Sequence, residues 1–435
     1  MDAFVIEGGQ PLRGSVRIHG AKNAALPLMA ASLLTDQLIT LGDVPQLADI
    51  RNMANLLGQL GVDVQRDHGS LTLHTTNLSN SEATYEIVRT MRASVCVLGP
   101  MLARRGLARV SMPGGCNIGD RPVDLHLRGL RALGAVITLE GGYIVAKTPA
   151  GGRLRGAKMF LGGPFGTTVL GTENVMSAAA LAEGTTIIES AACEPEVVDL
   201  AKLLNAMGAR IEGAGSPRIT IQGVDKLGGA SHTVMADRIE AGTYILAAAI
   251  TGGDVTLENC PVDAMGALLD RLGGVGVAIE ETGRAEDDTG LRETVRVVRK
   301  PQLKPTAVTT QPYPGFPTDL QAQLMALLCL ADGNSMITEK IFPDRFLHVA
   351  ELLRMGASLI RNGPNVLVSG VDELKGAPVM ASDLRASAGL VLAGLAASGR
   401  TTISRVYHLD RGYEQMELTL QQLGADIQRV NEDDL

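Results

Sequence analysis

The chain has 435 residues, 45% of them apolar and 20% charged, and a net charge of -8. That length exceeds what one compact core accommodates and implies two domains, and the apolar share excludes a disordered chain. An acidic balance, no tryptophan and 3% aromatic residues argue against nucleic acid, which needs basic surface and stacking rings. No apolar run approaches the roughly 18 residues of a membrane span, so none is expected. The first ten residues lack a basic start and a hydrophobic stretch, and the protein therefore reads as cytoplasmic. Five cysteines, Cys96, Cys116, Cys193, Cys260 and Cys329, are scattered and never form a C-x-x-C pair. That spacing argues against disulfides and structural zinc.

One unit recurs along the chain: a short apolar strand, an amphipathic helix closing on Leu-Gly or Met-Gly, then another strand. The copies span 39–64, 108–137, 185–211, 255–279, 335–360 and 401–427. Their closing glycines, Gly61, Gly134, Gly208, Gly273, Gly356 and Gly424, recur about every 73 residues. Glycine is the usual residue just past a helix, because only it takes a positive φ without penalty. Six matches in register make this a repeat architecture.

Between these copies lies a second kind of helix, over 23–34, 92–106, 172–184, 237–253, 318–333 and 383–399. These segments are apolar nearly all round, so they are expected to be buried on every face. Three repeats per half predict two similar α/β domains, each with buried central helices surrounded by sheets and outer helices. Residues 22–235 form one domain, and residues 1–21 with 236–435 form the other. Linkers are expected near His19–Lys22 and Gly229–Asp237, because the first 21 residues supply a strand to the C-terminal domain.

The starts of the apolar helices, near Asn23, Arg92, Thr172, Asp237, Thr318 and Asp383, mostly carry good capping residues. Lys22, Arg92, Arg238 and Arg385 also stand there, where the helix dipole disfavours a cation. If the domains face each other, these helix ends converge on a cleft suited to an anionic ligand. In the loop of Arg109–Arg128, Met112-Pro113-Gly114-Gly115 cannot continue a strand comfortably, which places Cys116 in an exposed loop beside Arg121. Such a cysteine is a candidate nucleophile or proton donor. Cys96 and Cys329 read as small buried hydrophobes, as do Cys193 and Cys260. His126 and His408 stand in no ligand-like cluster and read as structural, and no metal or cofactor is expected.

Several motifs resemble those of the enolpyruvyl transferases, and most closely the branch acting on UDP-N-acetylglucosamine. They are GAKNAALP at 20–27, MRAS at 91–94, PGGCNIGDRPVDLH at 113–126 and LAEGTTIIESAACEPEVVD at 181–199. FPTDLQAQ at 316–323, DLRASAGLVLAG at 383–394 and YHLDRGYE at 407–414 complete the set. The resemblance covers essentially the whole chain and implies an inside-out α/β barrel of two threefold domains, with the active site in the cleft between them. It implies transfer of the enolpyruvyl group of phosphoenolpyruvate to the 3-hydroxyl of UDP-N-acetylglucosamine. Phosphate is released, without cofactor, metal or obligatory protein partner.

By the same resemblance Cys116 is the proton donor, the site of a phosphoenolpyruvate adduct and the target of the epoxide fosfomycin. Asp319 is the base near the sugar hydroxyl, and Lys22, Asn23, Arg385 and Arg411 bind phosphoenolpyruvate. Arg92, Arg121, Pro122, Val123, Asp124, Leu125, Asp319 and Ile341 line the nucleotide sugar, with Asp383 and Arg345 in the same cleft. Asn23 could also simply cap its helix. LGGPFGTTVLGTEN at 161–174 departs from the family pattern, and Thr168 and Val169 are placed there only loosely against the diphosphate. Two other readings are a shikimate-pathway enolpyruvyl transferase, which resembles this chain in fold but has Lys-Ser at 22–23 and lacks the cysteine loop, and a silent nucleotide-sugar-binding paralogue.

Overall fold

A computed structural model describes residues 1–113, 123–149, 152–164, 166–287 and 290–434. The chain divides into two compact units. The C-terminal unit holds Met1–His19 and Ala236–Leu435, and the N-terminal unit begins at Gly20 and ends at Met235.

The described residues form six four-stranded sheets, three in each unit, and none closes into a barrel. Every sheet is built alike. An entry strand lies parallel to a second strand, that strand pairs antiparallel with a third, and the third pairs antiparallel with a fourth; the last two form a hairpin in every sheet except that of Asp2–Glu7. In the sheet of Ala307–Thr309, Asn334–Thr338, Asn365–Ser369 and Ser358–Asn362, Val308 pairs with Ile337, which faces Val366. Alternation follows the two-residue period of a strand: Ser335, Ile337, Val366 and Val368 are buried, while Asn334 and Met336 are exposed.

Three sheets are completed by chain from far away. Asp2–Glu7 inserts between Arg400–Ser404 and Asp426–Asn431, with Phe4 opposite Ile403 and Ile6 opposite Ile427. Arg13–Arg17 serves as the entry strand for Asp254–Cys260. In the N-terminal unit, Ala230–Thr233 is the entry strand for Ile39–Gly42. The first and last sheets of the C-terminal unit and the first sheet of the N-terminal unit thus each include a strand from distant sequence.

Each entry strand is followed by one apolar helix: α1 (Lys22–Ala31), α2 (Leu98–Arg105), α3 (Val169–Ala179), α4 (Arg238–Thr251), α5 (Gln321–Leu328) and α6 (Leu384–Ala396). α1 and α4 lead on to a strand of a different sheet, and the other four lead to the entry strand's own parallel neighbour. Ile239 through Ile250 of α4 and all of α5 are buried. These helices therefore form the centre of each unit, and the amphipathic helices lie outside with one face wet. In the C-terminal unit α4, α5 and α6 pack against one another.

Local details depart from the expected boundaries. Arg92 opens a 3-10 turn, Arg92–Val97, before α2 begins. The residue preceding α1 is Ala21, which makes no side-chain cap, so Asn23 is an exposed first-turn residue and not a cap. Thr168, not Thr172, caps α3. Asp237 and Asp383 do cap α4 and α6 through their carboxylates. Of the six closing glycines, Gly273 lies inside its helix, which runs on to Val275 and closes at Gly276 with φ 104°.

The hairpins return tightly onto the ends of the central helices. At Gly370 an added Cβ would run into the carbonyl oxygen of Ala331, just past α5. We therefore expect Gly370→Ala to lose about 1–3 kcal/mol of stability, because backbone cannot step aside as a flexible side chain can. Urea unfolding measures this, and an unchanged midpoint would show that the hairpin moves freely.

Candidate active site

The C-terminal unit gathers its polar groups where its three central helices begin. Asp319 lies in a 3-10 turn, Thr318–Leu320, that leads into α5. Its Oδ1 accepts from Arg345 Nη1 at 2.7 Å and its Oδ2 from Arg385 Nη2 at 3.0 Å. Arg345 is 7% exposed and Arg385 4%, so both guanidiniums meet the carboxylate out of bulk water. Burial works against the charge of Arg385, yet Asp319, then Tyr413 and Asp237, hold its proton more firmly than usual. Asp319 is thus held by two guanidiniums at once, with Asp237 and Asp383 close by, and guanidiniums are donors of the kind that bind carboxylate or phosphate.

Tyr413 organises the same region from behind. Its hydroxyl lies 2.8 Å from Thr243 Oγ1 and accepts from Gln323 Nε2 and Arg385 Nη1, each at 3.3 Å. Those three partners sit near the starts of α4, α5 and α6, so one phenol draws the three helix ends together. Burial raises the Tyr413 pKa, keeping the hydroxyl protonated. Asp383 accepts from the backbone N–H groups of Arg385 and Ala386 at 2.9 and 3.1 Å, which fixes where Arg385 emerges. His348 is buried close by; burial, with Arg345 adding to it against Asp383, pushes its pKa down to about 4 and leaves it neutral. Arg411 ends the turn Val406–Arg411, which packs on α6, and is half-buried. Ile341, also half-buried, follows the strand Asn334–Thr338.

In the N-terminal unit Lys22 is the first residue of α1, where the dipole opposes its charge. Its Nζ donates to Asp49 Oδ2 at 3.2 Å, and both side chains are buried. Asp49 stands in the first turn of the outer helix Ala48–Gln59, the end that favours an anion. Arg92 is half-buried, Val123 is buried, Asp124 is exposed and Leu125 is half-buried at the start of the helix Asp124–Ala132. His126 meets Asn174 Nδ2 at 3.0 Å through its Nδ1, and Asn174 Oδ1 accepts from Gly99 N at 2.7 Å. His126 thus joins α2, α3 and an outer helix in a structural role. Cys116, Arg121 and Pro122 lie outside the described residues.

A family model described as EPSP synthase (3-phosphoshikimate 1-carboxyvinyltransferase) matches residues 6–429. The chain belongs to this enolpyruvyl transferase family. Curated relatives include a UDP-N-acetylglucosamine 1-carboxyvinyltransferase of Cereibacter sphaeroides, 55% identical over 99% of this chain and 100% of that protein. One of the same name from Rhodospirillum centenum is 54% identical over the full length of both. Among solved structures, the enolpyruvyl transferase NikO of Streptomyces tendae superposes with a TM-score of 0.87 at 24% identity, covering 99% of each chain. That last likeness shows the fold: the six repeats and central helices are those of an enolpyruvyl transferase.

Within this member of the family, the structure joins Asp319, Arg345 and Arg385 directly and sets Asp383 behind them. Lys22, Asn23, Arg92, Val123, Asp124 and Leu125 belong to the N-terminal unit. Sequence reasoning missed Tyr413, Thr243, Gln323 and Glu339. Polar residues inside an otherwise apolar helix could have flagged Thr243 and Gln323, whereas nothing in a single sequence singles out Glu339. Of the described cysteines, Cys96, Cys260 and Cys329 are buried, while Cys193 is half-exposed rather than a core residue. Burial raises all four thiols, Cys260 and Cys329 to about 12, so these are no ready thiolates. No helix among the described residues is long and apolar enough to cross a membrane.

Glu173 is a further buried acid, on α3, and neither of its carboxylate oxygens has a hydrogen-bond partner among the described residues. Burial, then the charges of Glu196 and Glu194, raise its pKa well above 4.5. The folded protein thus keeps a proton that the unfolded chain releases, and this contribution is full below about pH 4.5 and fades as pH rises toward the folded value. Glu173→Gln keeps the shape and cannot ionise. We expect its melting temperature, relative to the parent, to climb between pH 4.5 and pH 8. A constant difference across that range would show that Glu173 ionises no differently in the folded state.

Proposed function

We propose that the chain transfers the enolpyruvyl group of phosphoenolpyruvate to the 3-hydroxyl of UDP-N-acetylglucosamine in the cytoplasm. Phosphate is released, and the product opens peptidoglycan synthesis. The observation that carries this reading is the Asp319 carboxylate held between two buried guanidiniums. A base and an anion clamp are what a hydroxyl attacking a phosphorylated carboxylate requires. The relatives with 54–55% identity over nearly the whole chain carry the name of that activity, which supports the nucleotide sugar over shikimate 3-phosphate as acceptor.

In this reading Arg385, Arg411, Lys22 and Asn23 bind phosphoenolpyruvate. Arg92, Arg121, Pro122, Val123, Asp124, Leu125 and Ile341 bind the nucleotide sugar. Asp319 takes the proton of the 3-hydroxyl as that oxygen bonds to the central carbon of phosphoenolpyruvate. Cys116 supplies a proton to the methylene carbon, and loss of phosphate with a methyl proton restores the double bond. Both Asp319 oxygens accept from arginine without substrate, so its action as a base requires a guanidinium to turn to the anion. Arg385, already aimed from the start of α6, is the natural one.

Phosphate release with phosphoenolpyruvate and either UDP-N-acetylglucosamine or shikimate 3-phosphate tests the reading. Release with the shikimate compound alone would assign the other branch, and release with neither would leave a binding protein. Arg385→Lys keeps the charge but not the two-pronged contact. Its kcat/KM should fall by about one to two orders of magnitude, in line with about 1.5–3 kcal/mol for a charge-assisted hydrogen bond. Near-normal kinetics would make Arg385 a purely structural partner of Asp319.

A reference thiol, with a pKa of about 8.5, is mostly protonated at neutral pH yet able to form thiolate, which suits a cysteine to the role given to Cys116. Cys116→Asp retains a group able to donate a proton when its pKa is raised, and it is a poor target for an epoxide. It should stay active and resist fosfomycin, whereas Cys116→Ser should be nearly inactive. Equal activity in the two variants would remove the acid role.

A further inference from the structure

Glu339 is fully buried, just past the strand Asn334–Thr338, and its carboxylate accepts four hydrogen bonds. Oε1 takes the Thr310 hydroxyl at 2.6 Å and the backbone N–H groups of Ile341 and Phe342 at 2.8 and 3.0 Å. Oε2 takes the Thr318 hydroxyl at 2.9 Å. Thr318 Oγ1 in turn accepts from Arg345 Nη1 at 3.1 Å, the same nitrogen that donates to Asp319 Oδ1 at 2.7 Å. One buried carboxylate therefore has two arms. The first holds the turn that carries Ile341, and the second reaches through Thr318 to the guanidinium that holds Asp319.

The chemistry of the side chain matters here. An ionised carboxylate only accepts, so four donors can converge on it without conflict. A glutamine would turn an NH₂ group toward one or more of those donors. Burying an anion is costly unless it is this well satisfied, which makes a carboxylate an unexpected choice for merely filling a turn.

We propose that Glu339 is a positioning residue for the nucleotide sugar, holding the Ile341 turn and the Arg345–Asp319 pair in one arrangement. It rests on the reaction proposed above. Glu339→Gln disturbs both arms and should raise KM for UDP-N-acetylglucosamine and lower kcat, each by about tenfold, with KM for phosphoenolpyruvate little changed. Thr318→Val cuts only the second arm. Its kcat should fall by about tenfold while KM for the nucleotide sugar stays within about twofold. Glu339→Asp, which keeps an acceptor-only group, should recover part of the loss.

Hydrogen exchange at the amides of Ile341 and Phe342, measured without substrate, should quicken in Glu339→Gln and not in Thr318→Val. If the parent enzyme releases no phosphate, the reaction reading fails, while exchange at those two amides still decides whether Glu339 holds the turn. Parental KM in a folded Glu339→Gln, a reduced active fraction with unchanged KM, or unchanged exchange would overturn the proposal. Should Glu339→Gln not fold, parental kcat in Thr318→Val would overturn it equally.

Discussion

The carboxylate of Asp319 and the two guanidiniums it holds set the terms for the C-terminal unit. Removing a cation from water is expensive, and an unpaired buried charge is worse than either a paired one or none. Arg345 and Arg385 are nearly excluded from solvent, so each must find an anion, and Asp319 meets both. Asp383 and Asp237 add further negative charge around the pair. Neutral oxygens complete the contacts: Tyr413 and Thr318 both accept from these arginines. A core made only of leucine and alanine could have been more stable, and it would have had nothing to offer a phosphorylated substrate.

That cluster depends on the apolar helices beneath it. Because α4, α5 and α6 are buried along their length, their positions are fixed by packing, and a residue at the start of each is delivered to a defined place. Thr243, Gln323 and Arg385 come from three repeats of one design, yet they differ in type and meet on one hydroxyl. The repeat supplies the scaffold, and the site arises where the copies diverge. In the N-terminal unit Lys22 stands at a helix start that repels its charge, and Asp49, at a helix start that favours its own, offsets the conflict.

Fold was legible because it rests on periodicity. Six helices apolar on every side can only be interior, and six amphipathic helices with a closing glycine mark the outside. Boundaries were less so, for local reasons. Gly273 looks like a helix end until Gly276 is seen to hold the positive φ, and Asn23 looks like a cap although Ala21 already occupies that place. Asp319, Arg385 and Lys22 were legible as charges at helix starts, and the resemblance to the transferases gave them roles. Arg345 could be listed from that resemblance, but its bond to Asp319 joins residues 26 positions apart, a closure that no local pattern encodes. Glu339 was illegible, because a glutamate beside a lysine at a strand end reads as surface until the chain folds around it.

Polar residues within the central helices divide by how well they are satisfied, and the division separates structure from chemistry. Asn174 uses both ends of its amide on Gly99, Val95 and His126, which is how a buried amide knits helices together. Glu173, the residue before it, has no partner for either oxygen among the described residues. A fully satisfied network makes a core more specific, while an unsatisfied group is a standing cost that packing alone does not explain. Glutamine or methionine would fit the same space without the electrostatic penalty raised by Glu194 and Glu196. Glu173 avoids that penalty only by holding a proton. The N-terminal unit thus buries polarity in two ways: by pairing charges, as at Lys22 and Asp49, and by suppressing one, as at Glu173.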